Sequence, residues 1–303
     1  MKILLTGPTG FIGSAFARLA LDRGHNVAGL VLPAETVPPA LTQSKGFVAL
    51  RGDLTQPPWS EVESFSPEVC IHTAWITTPG IYLESPENYK FLEQSLQFLN
   101  RVRALGTGHI VGLGTCIEYR MTGLPLSECQ TPIEPTTVYS RCKNELRLKL
   151  EEAEAAEGFR FCWARVFYPY GPGEHPSRLC SSILGKLERN ERVLLKTPGS
   201  TKDYIYIEDL AEALLTVVEA RFAGTINLGT GIGVSVREIA GKLAELMGRK
   251  QLVGEAPNTD PDPLGHVVAD VSRLRGLGWK QAHTIEQGLA ELMRTKATAK
   301  TQA

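Results

Sequence analysis

The sequence predicts an α/β protein in which helices cover both faces of a parallel sheet, a doubly wound arrangement, with a smaller α/β domain following it. Short apolar runs alternate with helical segments through the first half of the chain, and most runs are followed by Gly, Asp or Pro. Each run is too short for a core helix, so it is typical of a buried strand. Strands that alternate with helices form parallel sheets covered on both sides. The six predicted strands are Lys2–Thr6, Asn26–Leu32, Phe47–Leu50, Val69–Thr73, His109–Leu113 and Phe161–Phe167.

Two long helices are predicted between these strands. Residues 88–105 place apolar side chains at 3.6-residue spacing, which gives one apolar stripe to pack on a sheet. Residues 136–157 follow Pro135, have Thr136 as a candidate N-cap and end at Gly158.

The second half is less regular and is predicted to hold the smaller domain. We assign residues 1–168, with a return near 203–245, to the first domain, and residues 169–202 and 246–295 to the second. Residues 296–303 offer little to bury and are predicted to be disordered. The predicted elements are helices near 179–190, 208–221, 235–247, 272–279 and 284–295, strands near 192–195 and 225–228, and a loop over 197–202.

Composition excludes several classes of function. The chain has 303 residues, is 43% hydrophobic and carries a formal net charge of −1, so it lacks the basic field of a nucleic-acid-binding protein. No apolar run approaches the roughly 18 residues of a membrane helix. The six cysteines form no CxxC pair, so reduced thiols in a cytoplasm are expected rather than disulfides or a metal site.

A glycine triplet, Gly7, Gly10 and Gly13, follows the first predicted strand and opens a helix. Gly7 permits a tight turn, Gly10 lets the backbone approach a pyrophosphate, and Gly13 lets the helix pack on the strand. The helix N-terminus then offers unpaired N–H groups to phosphate oxygens. The spacing is GxxGxxG, and its position at the first strand–helix turn favours a dinucleotide site over an ordinary turn.

The adenosine end of such a dinucleotide is read about 20 residues further on, at the tip of the second strand. An acid there favours NAD and a base favours NADP, but this sequence has Leu32 and Pro33. The missing carboxylate favours NADP, with NAD still possible; Arg23 or Arg51 could assist. Asp53, after the third strand, is a candidate acceptor for the adenine amino group or, equally, a loop aspartate.

Tyr139 and Lys143 form a Tyr-x-x-x-Lys motif, and residues four apart share a helix face. A free phenol, with a pKa of about 10, is a poor acid or base at neutral pH. A neighbouring ammonium group and a cationic nicotinamide are expected to lower that pKa. Thr115, at the end of the fifth strand, supplies a hydroxyl to orient a reacting oxygen.

Together these motifs resemble the extended short-chain dehydrogenase/reductases of the NAD(P)-dependent sugar epimerase/dehydratase type. The resemblance covers nearly the whole chain. It is carried by Thr6 to Gly13, Asp53-Leu54, His72-Thr73-Ala74, Thr115 with Tyr119, Tyr139 with Lys143, Arg165 to Phe167, Tyr170 to Gly173, Lys202 to Asp209, Asn227 to Gly231, and Gly278-Trp279.

The resemblance implies a Rossmann domain, a small domain that binds a nucleotide-diphosphate sugar, and a homodimer formed through the helices at 88–105 and 136–157. It implies Thr115, Tyr139 and Lys143 as catalytic residues. The residues expected at the cofactor are Gly7, Thr9, Gly10, Phe11, Ile12, Gly13, Leu32, Asp53, Leu54, Thr73, Ala74, Tyr139, Lys143 and Phe167. The residues expected at the substrate are Cys116, Glu118, Tyr168, His175, Arg178 and Lys202.

The departures from the family pattern lie mostly on the sugar-nucleotide side. The usual Phe-Asn after the sixth strand is Phe167-Tyr168, and the usual Arg before Asp-Phe/Tyr is Lys202. The usual Asn of the helix after strand four is absent, and its place falls near Phe91. Trp75 and Tyr82 are candidates to cover the pocket or to pack within a loop.

The first hypothesis for the reaction is reduction of a nucleotide-activated 4-keto deoxysugar, with Tyr139 donating the proton. A sugar-nucleotide 4-epimerase is the alternative. Dehydratases of this group add a carboxylate pair beside the threonine, and Cys116-Ile117 offers none. A reductase of a non-nucleotide carbonyl and a non-catalytic NADP(H) sensor are also open, although a sensor would not need Tyr139 or Lys143.

Overall fold

The structure is a computed structural model that describes residues 1–257 and 262–301, with side chains up to residue 296. The strands are β1 (Lys2–Thr6), β2 (Asn26–Val31), β3 (Phe47–Arg51), β4 (Val69–His72), β5 (His109–Thr115), β6 (Arg160–Val166), β7 (Tyr168–Tyr170), β8 (Val193–Leu195), β9 (Thr201–Tyr206), β10 (Gly224–Leu228), β11 (Gly233–Ser235), β12 (Val253–Glu255) and β13 (His266–Val267). The six strands predicted in the first half are confirmed to within two residues at each end.

The helices are α1 (Phe11–Asp22), α2 (Pro39–Thr42), α3 (Trp59–Phe65), α4 (Glu87–Ala104), α5 (Val138–Glu157), α6 (Leu179–Glu188), α7 (Ile207–Glu219), α8 (Val236–Leu246), α9 (Ser272–Gly276) and α10 (Ile285–Thr301). Thr137, rather than the predicted Thr136, caps α5, because its hydroxyl accepts a hydrogen bond from the Ser140 N–H. Gly158 ends the helix in the left-handed conformation, as predicted. α10 extends to Thr301, into the segment expected to be disordered, and residues 302–303 lie outside the described part of the chain.

Among the described residues, seven strands form one parallel sheet in the order β10-β6-β5-β4-β1-β2-β3. Successive side chains of a strand point to opposite faces, so each strand contributes side chains to two hydrophobic cores, one on each face of the sheet. Ile3 and Leu5 of β1 pack with Phe16 of α1 on one face, where α7 also packs on α1. Leu4 packs on the other face with Phe98 of α4, which lies beside α5. The doubly wound α/β fold is therefore confirmed.

A smaller sheet is built around β9, which pairs with β7, β11 and β13, and a separate pair joins β8 to β12. Thr201 and Lys202, expected in a loop, belong to β9 because they pair with Ser235 and Val234. The segment 203–245 is divided: α7 and β10 lie on the large sheet, whereas the rest of β9 and β11 belong to the small one.

No helix in the described part of the chain is long and apolar enough to span a membrane. The outward faces of α4 and α5 are mostly polar, with Tyr89 and Leu148 as exposed apolar side chains. A homodimer through these helices stays a prediction.

Candidate active site

Two adjoining cavities lie at the carboxyl edge of the large sheet. The strand order reverses between β1 and β4, and ligands of open α/β sheets bind at such a point. The first cavity, of about 820 Å³, is lined by the glycine triplet, and we call it the glycine cavity. The second, of about 530 Å³, is lined by Thr115, Tyr139 and Lys143, and we call it the tyrosine cavity. The two cavities share lining residues, among them Ile12, Thr73, Trp75 and Arg178. Two ligands, one in each cavity, can therefore bind next to each other.

The glycine turn has the geometry that a pyrophosphate cradle needs. Gly7 has a φ of 67°, a conformation that favours glycine. A Cβ on Gly13 would lie 2.1 Å from the Gly7 carbonyl oxygen, so only glycine lets α1 pack this closely. Gly10 forms the N-cap of α1, whose first turn carries no acidic side chain to repel an anion. Thr9, Phe11 and Ile12 complete this wall.

A carboxylate that the sequence-based prediction missed lines the glycine cavity. Glu35 lines the cavity beside Leu32 and accepts a 2.6 Å hydrogen bond from the Thr9 hydroxyl. Arg51 donates to the backbone carbonyl oxygens of Leu32 and Glu35, at 3.3 and 2.6 Å, which fixes the loop after β2. Arg23 instead pairs with Glu212 on the protein surface.

The tip of β2 carries Leu32 and Pro33 and no acid, as the sequence indicates, and the carboxylate that lines the cavity belongs to Glu35. The loop after β2 brings Glu35 back to the site. The signal available in the sequence was that Glu35 is the first carboxylate after β2.

Asp53 and Leu54 both line the glycine cavity. One carboxylate oxygen of Asp53, Oδ1, accepts hydrogen bonds from the backbone N–H groups of Thr55 and Gln56 and from the Thr55 hydroxyl. The Thr55 hydroxyl and these N–H groups hold the pKa of Asp53 below its usual value. Asp53 thus orders its own loop through one oxygen.

The Thr6 hydroxyl joins the end of β1 to the segment that follows β4. It accepts the N–H groups of Thr73 and Ala74, each at 3.1 Å, and lies 3.0 Å from His72 Nδ1. With both lone pairs used, the hydroxyl donates to His72, whose other ring nitrogen is 2.9 Å from the Ser95 hydroxyl. Burial lowers the pKa of His72 to about 3, so this ring stays neutral and its role is structural.

The motif residues of α5 face the tyrosine cavity. Thr115, Tyr139 and Lys143 all line it, together with Phe167. The Lys143 ammonium group is buried and donates a 2.9 Å hydrogen bond to the Leu113 carbonyl oxygen. The structure therefore brings the phenol, the ammonium group and the hydroxyl to one cavity.

In the protein without a cofactor, the pKa values of Tyr139 and Lys143 are shifted mainly by burial. Burial raises the pKa of Tyr139 well above its usual value, with the neighbouring Tyr82 adding to the rise and Arg178 opposing it. Burial lowers the pKa of Lys143 to about 7, and the Glu118 carboxylate opposes that fall. The predicted lowering of the phenol pKa involves a cationic nicotinamide as well as Lys143 and stays a prediction; in the protein alone the desolvation penalty dominates.

Glu118 lines neither cavity, so its prediction as a substrate contact is wrong. It is fully buried and accepts hydrogen bonds from the Thr115 N–H (2.9 Å), from Trp163 Nε1 and from Arg165 Nε (2.7 Å). It supports the turn that carries Thr115 from below. Cys116 does line the tyrosine cavity, and burial raises the pKa of its thiol to about 12, which makes it a packing residue rather than a nucleophile.

The remaining predicted substrate residues are divided between the cavities. Tyr168 and Lys202 line the tyrosine cavity, His175 lines the glycine cavity, and Arg178 lines both. The Lys202 ammonium group is already bound by the Asp262 carboxylate at 2.8 Å and by the Leu264 carbonyl oxygen. Arg178 lies with its guanidinium 5.6 Å from the centroid of the Tyr82 ring.

Tyr82 and Trp75 cover the tyrosine cavity. The Tyr82 ring meets that of Tyr139 edge to face, with centroids 4.9 Å apart. The backbone N–H of Tyr139 donates to the Leu83 carbonyl oxygen at 2.9 Å, which ties this loop to α5. The loop after β4 therefore forms one wall of the site.

Comparison with known proteins gives a consistent result. The model of the NAD dependent epimerase/dehydratase family matches residues 3–229. The chain is 28% identical to the UDP-glucose 4-epimerase of Corynebacterium glutamicum, over 94% of this chain and 92% of that protein. It is 25% identical to UDP-glucuronic acid decarboxylase 6 of Arabidopsis thaliana, over 95% and 87%. The solved structure of the Thermus thermophilus UDP-glucose 4-epimerase in complex with NAD matches with a TM-score of 0.85 and 27% identity, over 99% of this chain and 100% of that one.

Proposed function

We propose that this protein, which belongs to the NAD-dependent epimerase/dehydratase family, is a 4-epimerase of nucleotide-activated sugars that keeps NAD bound. Full-length similarity to two UDP-glucose 4-epimerases supports the proposal. The sequence alone placed this reaction second, after the 4-ketoreductase.

The observation that carries the choice is the position of Glu35. A carboxylate at this end of a dinucleotide site accepts hydrogen bonds from the ribose hydroxyls of NAD and repels the 2′-phosphate of NADP. The glycine turn and the α1 N-terminus fit the pyrophosphate of the same molecule. An epimerase needs a resident NAD that is reduced and reoxidised in each turnover, whereas a reductase consumes its cofactor.

Bound NAD⁺ would supply the hydride acceptor and later the hydride donor. Tyr139 takes the proton from the substrate hydroxyl as the carbonyl forms, and it returns this proton when the alcohol re-forms with inverted configuration. The Thr115 hydroxyl orients the reacting oxygen. Lys143 would hold the ribose of bound NAD⁺, and in its ammonium form it stabilises the phenolate of Tyr139 against the cost of burial.

The sugar nucleotide is proposed to occupy the tyrosine cavity, with its diphosphate near Arg178. A guanidinium group can bind two phosphate oxygens at once. Lys202 serves the diphosphate less directly, since Asp262 already pairs with it. Cys116 and Ile117 leave the threonine turn without the carboxylate pair of a dehydratase, which supports epimerisation over elimination of water.

The test begins with the nucleotide that the purified protein carries. Mass spectrometry of the nucleotide released on denaturation should find NAD rather than NADP. Incubation with UDP-glucose, UDP-glucuronate and UDP-N-acetylglucosamine, followed by NMR of the sugar C4, should show inversion without net reduction of NAD. Stoichiometric oxidation of NADPH by a nucleotide-activated 4-keto sugar would instead support the ketoreductase and contradict the proposal.

Tyr139→Phe tests the acid/base assignment directly. The phenyl ring keeps the packing but cannot move a proton, so epimerisation should fall by a factor of about 10² to 10⁴. NAD content should stay that of the wild type. Epimerisation within tenfold of the wild-type rate would show that Tyr139 is not the acid/base.

A further inference from the structure

Lys143 meets an aromatic face in the described structure. Its Nζ atom lies 3.9 Å from the centroid of the Trp75 ring, closer than to any other ring that it approaches among the described residues. Such a separation is well inside the range in which a cation is attracted to an indole face, and tryptophan is the strongest aromatic partner. Trp75, which makes this contact, is one of the residues that line both cavities.

We propose that Trp75 is a positioning residue for Lys143: its indole face holds the buried ammonium group in place without neutralising its charge. An ammonium group has three donors. One of them serves the Leu113 carbonyl oxygen at 2.9 Å, and the Trp75 face occupies a second direction. The third N–H donor is then free to point into the cleft, where it would contact Tyr139 and the cofactor ribose.

Trp75 is itself held in place from two sides. Its Nε1 donates a 2.8 Å hydrogen bond to the Asn88 side-chain oxygen. Asn88 is fully buried, and its amide nitrogen donates to the carbonyl oxygens of Tyr82 and Ser85. The Phe91 ring packs against the indole with centroids 5.8 Å apart. The indole therefore presents a fixed face, and the rest of the loop depends on the same asparagine.

The charged groups around Lys143 make an unneutralised contact useful. Glu118, below the Thr115 turn, favours the ammonium form but is already paired with Arg165. His72 of β4 is neutral. The centroid of the Tyr139 ring, on the same helix as Lys143, lies 5.9 Å from the Lys143 Nζ atom. A carboxylate in the place of Trp75 would cancel the charge that is needed to stabilise the Tyr139 phenolate. An aromatic face stabilises the cation and leaves its field intact.

The experiment measures the protonation of Lys143 directly. Protein labelled with ¹³C at lysine Cε is titrated by NMR, and the Lys143 resonance is assigned by its loss in Lys143→Arg. Trp75→Leu and Trp75→Met remove the ring but keep an apolar side chain, whereas Trp75→Phe keeps a weaker face. Trp59→Leu is the matched control, because Trp59 is also half-buried but stacks on Phe98.

Loss of the indole should lower the Lys143 pKa by about one unit in both non-aromatic variants. Trp75→Phe should lower it by less than half of that, and Trp59→Leu should leave it unchanged. The alkaline limb of the kcat profile should move to lower pH by the same amount, because the ammonium form is the active one. Two folded non-aromatic variants with the wild-type Lys143 pKa would overturn the proposal.

The role in catalysis rests on the proposed function, but the contact can be judged separately. If the wild-type protein epimerised no sugar nucleotide, the proposed function would fail while the NMR titration still decided whether Trp75 holds the ammonium group. If the enzyme were active and the Lys143 pKa were unchanged in the Trp75 variants, the positioning role of Trp75 would be refuted and the proposed function would stand. Trp75→Met covers the case in which Trp75→Leu does not fold.

Discussion

Arg165 donates a 2.7 Å hydrogen bond from Nε to the Glu118 carboxylate, and both side chains are almost completely buried beneath the Thr115 turn. The same guanidinium donates at 2.9 Å to the Tyr119 hydroxyl, which in turn donates to Asn227 on β10. A buried ion pair gives little net stability over an apolar pair, but leaving one partner alone is costly. The pair therefore links the active-site turn to the edge strand of the sheet.

Glu118→Gln should lower the free energy of unfolding by roughly 3–5 kcal/mol, because the Arg165 charge would be left without a counterion in the core. Chemical denaturation measures this. Glu134→Gln is the control, since Glu134 pairs with Arg120 at the surface, with both side chains more than half exposed (51% and 57%). That change should cost less than about 1 kcal/mol. Equal effects of the two variants would contradict the account of the buried pair.

Gly13→Ala and Gly10→Ala should separate folding from ligand binding. A Cβ on Gly13 would meet the Gly7 carbonyl oxygen at 2.1 Å, so Gly13→Ala should cost about 1–3 kcal/mol of stability as well as NAD binding. A Cβ on Gly10 would lie 3.4 Å from that oxygen. Gly10→Ala should therefore keep most of the stability and weaken NAD binding alone. Thermal melting and isothermal titration calorimetry measure the two quantities, and wild-type NAD affinity in Gly10→Ala would argue against a pyrophosphate at this turn.

Glu35→Gln should weaken NAD binding and relax the discrimination against NADP. A hydrogen bond to a charged acceptor contributes about 1.5–3 kcal/mol, so we expect the Kd for NAD to rise by roughly tenfold or more. The Kd for NADP should change less or fall, because the repulsion is removed. Glu61→Gln, on the exposed face of α3, is the control. An unaltered ratio of the two Kd values would show that Glu35 does not select NAD over NADP.

The free energy of unfolding should rise with pH above neutrality because of Lys143. Burial lowers its pKa from 10.5 to about 7. Between these values the unfolded chain binds a proton that the folded chain lacks, so stability increases by at most about 1.4 kcal/mol per pH unit. Below pH 7 both states are protonated and this slope disappears. Denaturation between about pH 7 and pH 9.5 should show a flatter profile for Lys143→Met than for the wild type, whereas Lys149→Met, at an exposed lysine, should reproduce the wild-type slope.

Much of the fold follows from periodicity, because strand burial and helix packing leave regular marks in a sequence. The run Lys2–Thr6 is a strand of alternating core contacts, and the Gly7 turn begins where the run ends. Cap positions are less certain because Thr136 and Thr137 have the same chemistry. Only the backbone path decides which hydroxyl reaches the Ser140 N–H.

The site was predicted well where its chemistry is local and poorly where a loop or the core decides. The spacing of Tyr139 and Lys143 on one helix is enough to bring both side chains to one cavity. Glu35 reaches the glycine cavity through an irregular loop that no period describes. Glu118 is two residues from Cys116, yet its side chain points into the core, because Trp163 and Arg165 of β6 offer it buried donors.

The Thr6 hydroxyl joins β1 to the segment that follows β4, at the point where the strand order of the sheet reverses. The contact between these segments consequently combines the strand pairing of β1 and β4 with the Thr6 hydroxyl, the uncharged imidazole that receives its proton, and the 2.6 Å hydrogen bond from the Thr73 hydroxyl to the Thr6 carbonyl oxygen. Thr6, His72 and Ser95 would have to be transplanted as a unit in any chimera that exchanges nucleotide-binding halves between relatives. A chimera that carried the glycine loop alone would keep the phosphate turn but lose the hydrogen bonds that join it to the segment after β4.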